Sequence, residues 1–439
     1  MRYIIEKSKV SGTVNAPPSK SLTHRAIFCA SLAEGKSTIL NYLDCDDTQA
    51  TIDACRSLGA KIKDKNGVLE ITGTNGAITD LTINCRESGT TIRFLIPMVS
   101  VFGQDIELTG SKRLLERPMG PIISAMAKLG VRCKQEGDKI TVSGKLSGGK
   151  TSIVGNVSSQ FISGLLVACP LAEEDTTIEV TTELESKPYV EMTIGVLRDF
   201  GTRNLQSKFV SRTLKLQKEF QGTTIKIDVS DDFRTFCISG GQKYKPAEYA
   251  VEGDFSSAAF LLAAGAIAGD VDVKNLNPHS VQGDRKIVDV LKRMGADITE
   301  TPDSVRAKKS DLSGAEIDVR DIPDLVPIIA TLGCFAEGET RIKNAGRLRG
   351  KESDRLSAIS SELKKMGANI VEKEDELIIE GGGLQSARIN PYNDHRIAMA
   401  CAVAALSSGG IIEGAECVAK SYPDFFGDLK RIGAKVVLE

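Results

Sequence analysis

Lys365-Met366-Gly367-Ala368 closes an amphipathic stretch, and a β-branched stretch marked by Ile370 follows it. The same signature stands at Ser57-Leu58-Gly59-Ala60, Lys128-Leu129-Gly130-Val131, Asp199-Phe200-Gly201-Thr202, Arg293-Met294-Gly295-Ala296 and Arg431-Ile432-Gly433-Ala434. A glycine just past an amphipathic stretch ends a helix, because it caps the last carbonyls in a conformation that a Cβ would oppose. The copies lie roughly seventy residues apart, too far for a thin solenoid but right for a larger supersecondary unit. Interleaved with them are stretches that are apolar nearly all round, at 26–33, 92–102, 161–172, 258–268, 325–336 and 397–406. Helices of that kind belong in a core. Each unit thus holds one buried helix, one amphipathic helix and several short strands, which is an α/β pattern.

The interval between the third and fourth glycines is longer by roughly twenty residues. The excess includes the turn-rich Ser239-Gly240-Gly241-Gln242-Lys243-Tyr244-Lys245-Pro246, which marks a domain junction. The strand before Pro17-Pro18 precedes the first buried helix and is expected to complete the sheet of the far domain. The expected architecture is therefore two domains of three units each, 1–18 plus 248–439 and 19–247. Two crossing strands would make a hinge, with the active site in the cleft.

Composition narrows the function classes. The chain has 439 residues with the hydrophobic and charged fractions of an ordinary soluble protein, and its net charge is -2. That balance gives no basic bias toward nucleic acid or membrane surfaces, so any anion site must come from local clustering. The ten cysteines are scattered without a C-x-x-C pair, and the histidines are only His24, His279 and His395. They point to reduced thiols in a cytoplasmic protein, with neither metal nor cofactor expected. Residues 1–7 run straight into a strand pattern without an apolar leader, and no apolar run approaches a membrane span. Ser147-Gly148-Gly149-Lys150 lacks the Walker A frame and reads as a turn, and no dinucleotide fingerprint appears.

Polar groups gather where each buried helix begins: Ser19-Lys20-Ser21-Leu22-Thr23-His24-Arg25, Glu87-Ser88-Gly89-Thr90-Thr91-Ile92-Arg93, Ser158-Ser159-Gln160, Asp254-Phe255-Ser256-Ser257, Pro323-Asp324 and Asn393-Asp394-His395-Arg396. Free N–H groups and small hydroxyls there form anion cradles, although plain N-capping accounts for a lone Ser or Asp. Cations at a helix start oppose the dipole and call for an anion. The amphipathic helix starts add Arg117-Pro118, Lys187-Pro188-Tyr189, Lys351-Glu352-Ser353-Asp354-Arg355 and Lys420-Ser421-Tyr422-Pro423-Asp424. Solvated surface cations are the plain alternative. If Lys20, Arg25, Arg117, Lys351, Arg355, Arg396 and Lys420 converge, two such charges ~6 Å apart at an effective dielectric of ~20 repel by about 3 kcal/mol. The expectation is a cleft held open by this repulsion until anionic ligands fill it.

Taken in order, these motifs resemble the 5-enolpyruvylshikimate-3-phosphate synthase family, the 3-phosphoshikimate 1-carboxyvinyltransferases. The resemblance runs nearly end to end through Pro18-Ser19-Lys20-Ser21 with Arg25, Ser88-Gly89-Thr90-Thr91-Ile92-Arg93, Glu116-Arg117-Pro118, Ser158-Ser159-Gln160-Phe161 and Ser186-Lys187-Pro188-Tyr189. It continues through Val251-Glu252-Gly253-Asp254, Lys351-Glu352-Ser353-Asp354-Arg355, Asn393-Asp394-His395-Arg396 and Ala419-Lys420. It implies an inverse α/β barrel-like fold, two domains of three βαβαββ-type repeats around buried helices. It also implies transfer of the enolpyruvyl group of phosphoenolpyruvate to the 5-hydroxyl of shikimate 3-phosphate, in the shikimate pathway to chorismate and the aromatic amino acids. By motif, Lys20, Ser21, Arg25, Ser158, Ser159, Gln160, Ser186, Asp324, Arg347 and Lys351 would meet shikimate 3-phosphate. Lys20, Gly89, Arg117, Gln160, Arg355, Arg396 and Lys420 would meet phosphoenolpyruvate. Glu352 matches the general acid and Asp324 the general base, with Lys20 or Lys420 as possible sharers of the proton work. Lys351 and Arg355 should lower the pKa of Glu352, which works against an acid role. Glu87 and Arg347 stand where many members carry Asn. No metal, cofactor, nucleic acid or membrane is called for, and a monomer is expected.

A UDP-N-acetylglucosamine 1-carboxyvinyltransferase shares fold and reaction type but typically carries a reactive Cys just before its Arg-Pro. Here that loop is Ser111-Lys112-Arg113-Leu114-Leu115-Glu116. A non-catalytic anion-binding repeat protein is the alternative from another class, and turnover separates it.

Overall fold

The computed structural model describes residues 1–201 and 225–439. Thr202, which ends the third glycine signature, lies outside the described residues. The chain divides into two compact units, Pro18–Val251 and Met1–Pro17 with Glu252–Glu439.

Each unit carries three four-stranded sheets built to one plan: a first strand parallel to a second, then two strands added antiparallel. In the unit Pro18–Val251, one sheet orders Thr82–Asn84, Ile106–Thr109, Lys139–Ser143 and Arg132–Glu136. Another orders Gly149–Ile153, Thr176–Val180, Thr235–Ile238 and Ile227–Val229. Parallel neighbours need a crossover, and the apolar helices Gly89–Val99 and Ser159–Ala168 supply it. Their residues are almost entirely buried because sheet and sister helices cover them on all sides. In the other unit, Val326–Cys334 and His395–Ser408 play the same part.

The two remaining sheets explain the chain crossings. Val10–Asn15 leads directly toward the helix Lys20–Leu32, yet it pairs in parallel with Gly269–Lys274. Glu248–Ala250 leads toward the helix Phe255–Ala268, yet it pairs in parallel with Lys36–Leu40, Tyr249 opposite Ile39. The units have thus exchanged first strands. The N-terminal segment also gives a second strand, Tyr3–Ile5, which inserts between Gly410–Ile412 and Val436–Leu438. The one strand expected before Pro17-Pro18 is therefore two strands in two different sheets.

The amphipathic helices end as their glycines require. Gly59 sits at φ +91. Its N–H donates to Arg56 O at 2.9 Å, and Ala60 N donates to Cys55 O at 3.0 Å, the paired bonds of a Schellman cap. Gly130, Gly295, Gly367 and Gly433 share the left-handed conformation, whereas Gly201 ends its helix without entering it.

The core of Pro18–Val251 is centred on its three buried helices, with Phe28 and Phe94 stacked at 5.3 Å between ring centroids. In the other unit Phe260, Phe425 and Tyr422 pack edge to face. No helix among the described residues is long and apolar enough to cross a membrane.

Candidate active site

In the unit Met1–Pro17 with Glu252–Glu439, three helix starts meet around Asp324. It precedes the buried helix Val326–Cys334. Its Oδ1 accepts from Arg355 Nη1 at 2.9 Å and from Lys351 Nζ at 3.5 Å. Its Oδ2 accepts from Arg396 Nη2 at 3.0 Å. Burial alone would raise this carboxyl, but Arg396, Lys351 and Arg355 outweigh it and hold the group well below the usual carboxylate range.

Arg355 is the hub of the cluster, with its side chain 1% exposed. It grips Asp394 with a fork, Nε to Oδ2 at 3.0 Å and Nη2 to Oδ1 at 3.3 Å, and Nη2 also donates to Glu352 Oε2 at 2.6 Å. Burial lowers its pKa, but Asp394, Glu352 and Asp324 more than reverse that, so the guanidinium is firmly charged. Asp394 also caps the helix His395–Ser408 through Arg396 N at 2.9 Å and accepts from Ser353 Oγ at 3.0 Å. Asp354 caps its own helix, Arg355–Lys365, through Ser357 N. One pentapeptide therefore sends Lys351, Glu352, Ser353 and Arg355 into the site and keeps Asp354 for the helix.

Lys420 Nζ donates to Asn393 O at 2.6 Å, just before the Asp394 cap, where Tyr392 and Asn393 both take left-handed backbone conformations. Lys351 is lowered to about 8, first by burial, with Asp324 pulling it back up and Arg355 and Arg347 pushing it down. Arg347 itself donates to Arg320 O. Its neighbour Arg349 is tied to Asp354, Ser357 and Glu372 and braces the loop.

In the unit Pro18–Val251, Lys20 Nζ pairs with Asp47 Oδ2 at 2.8 Å. Gly89 lies against Arg117: a Cβ built on Gly89 would sit 2.7 Å from Arg117 Nη1. Gln160 is held at both ends of its amide, accepting from Arg93 Nη1 at 2.8 Å and donating to Thr90 Oγ1 at 2.8 Å. Ser158 caps the helix Ser159–Ala168. Ser186, only 3% exposed, has φ +57, a left-handed conformation unfavourable for serine. Ser21 heads the same helix as Arg25. Arg25 is buried, donating to Thr193 Oγ1, Ser21 O, Tyr189 O and Ser163 Oγ, and burial lowers its pKa to about 10.

The candidate residues thus divide between the two units. Lys20, Ser21, Arg25, Gly89, Arg117, Ser158, Ser159, Gln160 and Ser186 belong to one, and Asp324, Arg347, Lys351, Glu352, Arg355, Arg396 and Lys420 to the other. Four of the seven expected cations, Lys20, Lys351, Arg355 and Arg396, meet acids rather than one another. Asp47 neutralises Lys20, and Asp324, Glu352 and Asp394 neutralise Lys351, Arg355 and Arg396. Sequence reasoning did not single out Asp47 or Asp284, and it quoted Thr90 and Arg93 only within the 87–93 stretch. Asp47 and Asp284 each carried the same slight signal, an acid in a first helical turn. Asp284 is raised to about 7 by burial and then by Asp324, and it accepts from Ser256 Oγ.

Comparisons with known proteins identify the family. The family model described as EPSP synthase (3-phosphoshikimate 1-carboxyvinyltransferase) matches residues 4–209 and 209–429. A 3-phosphoshikimate 1-carboxyvinyltransferase of Clostridium kluyveri is 43% identical over 99% of this chain and 98% of its own. One of Methanothrix thermoacetophila is also 43% identical, over 98% of each chain. The solved EPSP synthase of Acinetobacter baumannii superposes with a TM-score of 0.78 at 28% identity, covering 100% of both chains. A match of that identity along the whole length, on a chain whose repeats and polar helix starts follow the family order, places this chain in the EPSP synthase (3-phosphoshikimate 1-carboxyvinyltransferase) family.

Proposed function

We propose that the chain transfers the enolpyruvyl group of phosphoenolpyruvate to the 5-hydroxyl of shikimate 3-phosphate, as a cytoplasmic monomer without metal or cofactor. The observation that carries the catalytic assignment is Asp324, a part-buried carboxylate wired to Arg355, Lys351 and Arg396.

Each substrate brings a phosphate and a carboxylate, and both sets of cations suit them. Lys20, Ser21, Arg25, Ser158, Ser159, Gln160, Ser186, Asp324, Arg347 and Lys351 are assigned to shikimate 3-phosphate. Lys20, Gly89, Arg117, Gln160, Arg355, Arg396 and Lys420 are assigned to phosphoenolpyruvate. In the free enzyme Asp324 is a poor base because three cations stabilise its charge. An anionic substrate competes for those same cations. As Arg396, Arg355 and Lys351 turn toward it, Asp324 loses counter-charge and its proton affinity rises. Glu352, released from Arg355, gains proton affinity for the same reason. Substrate binding thereby creates both the base and the acid.

In the addition step Glu352 delivers a proton to the methylene carbon of phosphoenolpyruvate, and Asp324 takes the proton of the 5-hydroxyl as its oxygen bonds to the neighbouring carbon. In the elimination step Glu352 takes back a proton from the new methyl group as the bond between carbon and the phosphate oxygen breaks, and Asp324 returns its proton to the departing phosphate. The cations stabilise the charge on the departing phosphate, and positioning supplies much of the rest of the acceleration. Phosphate release with both substrates, compared with each omitted in turn, tests the reading. Release that does not need shikimate 3-phosphate would defeat it.

A further inference from the structure

A line of hydroxyls in the unit Pro18–Val251 connects a buried histidine to the helix start that carries Gly89. His24 lies one turn beyond Lys20 on Lys20–Leu32, Thr51 on Asp46–Ser57, and Thr91 on Gly89–Val99, with Ser88 as that helix's N-cap. All four are fully buried. His24 Nδ1 is 2.7 Å from Thr51 Oγ1, Thr51 Oγ1 is 2.7 Å from Thr91 Oγ1, and Thr91 Oγ1 is 2.7 Å from Ser88 Oγ.

The direction of the protons follows from the end of the line. Thr91 Oγ1 donates to Ser88 Oγ, which also accepts from Thr91 N at 3.2 Å. A hydroxyl has one proton, so Thr91 must accept from Thr51, and Thr51 must then accept from His24 Nδ1. His24 is thus the Nδ1–H tautomer, its Nε2 buried without a partner. Burial first, then Lys20 and Arg25, hold its pKa well below the ordinary histidine value, so the ring is neutral. A neutral donor beside two cations gives the line its polarity without adding a third charge.

We infer that His24 is a positioning residue for phosphoenolpyruvate, acting through Thr51, Thr91 and Ser88 on the Gly89 turn and hence on Arg117, which lies against it. The line sets where the Gly89 turn sits and how Ser88 is oriented, and hydrogen bonds in series strengthen one another. This rests on the reading that Gly89 and Arg117 hold phosphoenolpyruvate.

The test breaks the line at its middle, away from His24 and the helix start. Thr51→Val keeps the shape and removes both bonds, and Thr51→Ser restores the hydroxyl. The inference expects Thr51→Val to raise KM for phosphoenolpyruvate about fivefold to tenfold, with KM for shikimate 3-phosphate within twofold of the parent and Thr51→Ser close to the parent in both. An equal rise in both KM values, or none in either, would overturn it. Should Thr51→Val fail to fold, selective ¹⁵N-histidine labelling of the unmodified chain decides the matter. A neutral ring protonated on Nδ1 from pH 6 to 8 supports the inference, and a ring protonated on Nε2, or titrating as a solvent-exposed histidine does, overturns it. Absence of turnover by the unmodified chain would instead defeat the functional reading while leaving the tautomer measurable.

Discussion

Gly89→Ala is the sharpest probe of the phosphoenolpyruvate assignment, because the structure supplies the size of the perturbation. The new Cβ would stand 2.7 Å from Arg117 Nη1, 3.0 Å from Cζ and 3.2 Å from Nη2. Ordinary contacts of this kind are about 3.5 Å, so the guanidinium must retreat by roughly 0.8 Å. The backbone does not yield first, because the Ser88 cap and the hydroxyl line behind it fix the turn. Gly89 is also outside the left-handed region, so alanine suits its conformation and should raise helix stability by up to about 1 kcal/mol. A displacement near 1 Å in a positioning group costs up to about a hundredfold in rate. The expectation is a tenfold to hundredfold fall in kcat/KM for phosphoenolpyruvate, about 1.4–2.7 kcal/mol of transition-state stabilisation. Paired steady-state kinetics and thermal melts would read it, with Tm unchanged or slightly raised. An unchanged KM for phosphoenolpyruvate would refute the reasoning. So would a large drop in Tm, since the backbone rather than Arg117 would then have moved.

Asp324→Asn and Glu352→Gln should each lower kcat at least a hundredfold while leaving substrate Kd values within about fivefold. Near-normal turnover in either variant removes that residue from its proton-transfer role. Arg117→Ala should raise KM for phosphoenolpyruvate at least tenfold and affect shikimate 3-phosphate little, as steady-state kinetics would show. The pH profile follows from Lys351, lowered by burial from 10.5 to about 8. Across that window the unfolded chain keeps a proton that the folded chain has lost, so this group's contribution to folding stability rises with pH. The ammonium charge assigned to shikimate 3-phosphate disappears over the same interval. The value of kcat/KM for shikimate 3-phosphate should therefore fall above about pH 8, and Lys351→Arg should abolish that limb; a flat profile to pH 10 in the parent would contradict the assignment.

Many of the proposed site residues stand out in the sequence because they sit at helix starts, where local chemistry is conspicuous. Lys20, Arg25 and Arg396 stand out in sequence as cations opposing a dipole. What compensates them was not legible. Arg355 is paired within its own turn by Glu352 but also across the fold by Asp324 and Asp394, and Lys20 is paired by Asp47 from another helix. An empty site held apart by repulsion was the natural inference from a list of charges. The folded chain instead holds Lys20, Lys351, Arg355 and Arg396 in ion pairs. The His24 line was hidden for a similar reason, since Thr51 and Thr91 look like ordinary helix residues until packing brings their hydroxyls to 2.7 Å.

Periodicity and the six glycines were enough to establish the repeat, its helix types and the ends of most amphipathic helices, because those depend on neighbours within a few residues. The exchange of first strands, with Val10–Asn15 pairing Gly269–Lys274 and Glu248–Ala250 pairing Lys36–Leu40, was decided only in three dimensions. So was the conversion of scattered Asp, Glu, Lys and Arg into one buried network around Asp324 and Arg355. Hydrogen bonds and Coulomb forces act on distance in space, and a chain that crosses twice between units makes distance in space independent of distance along the sequence.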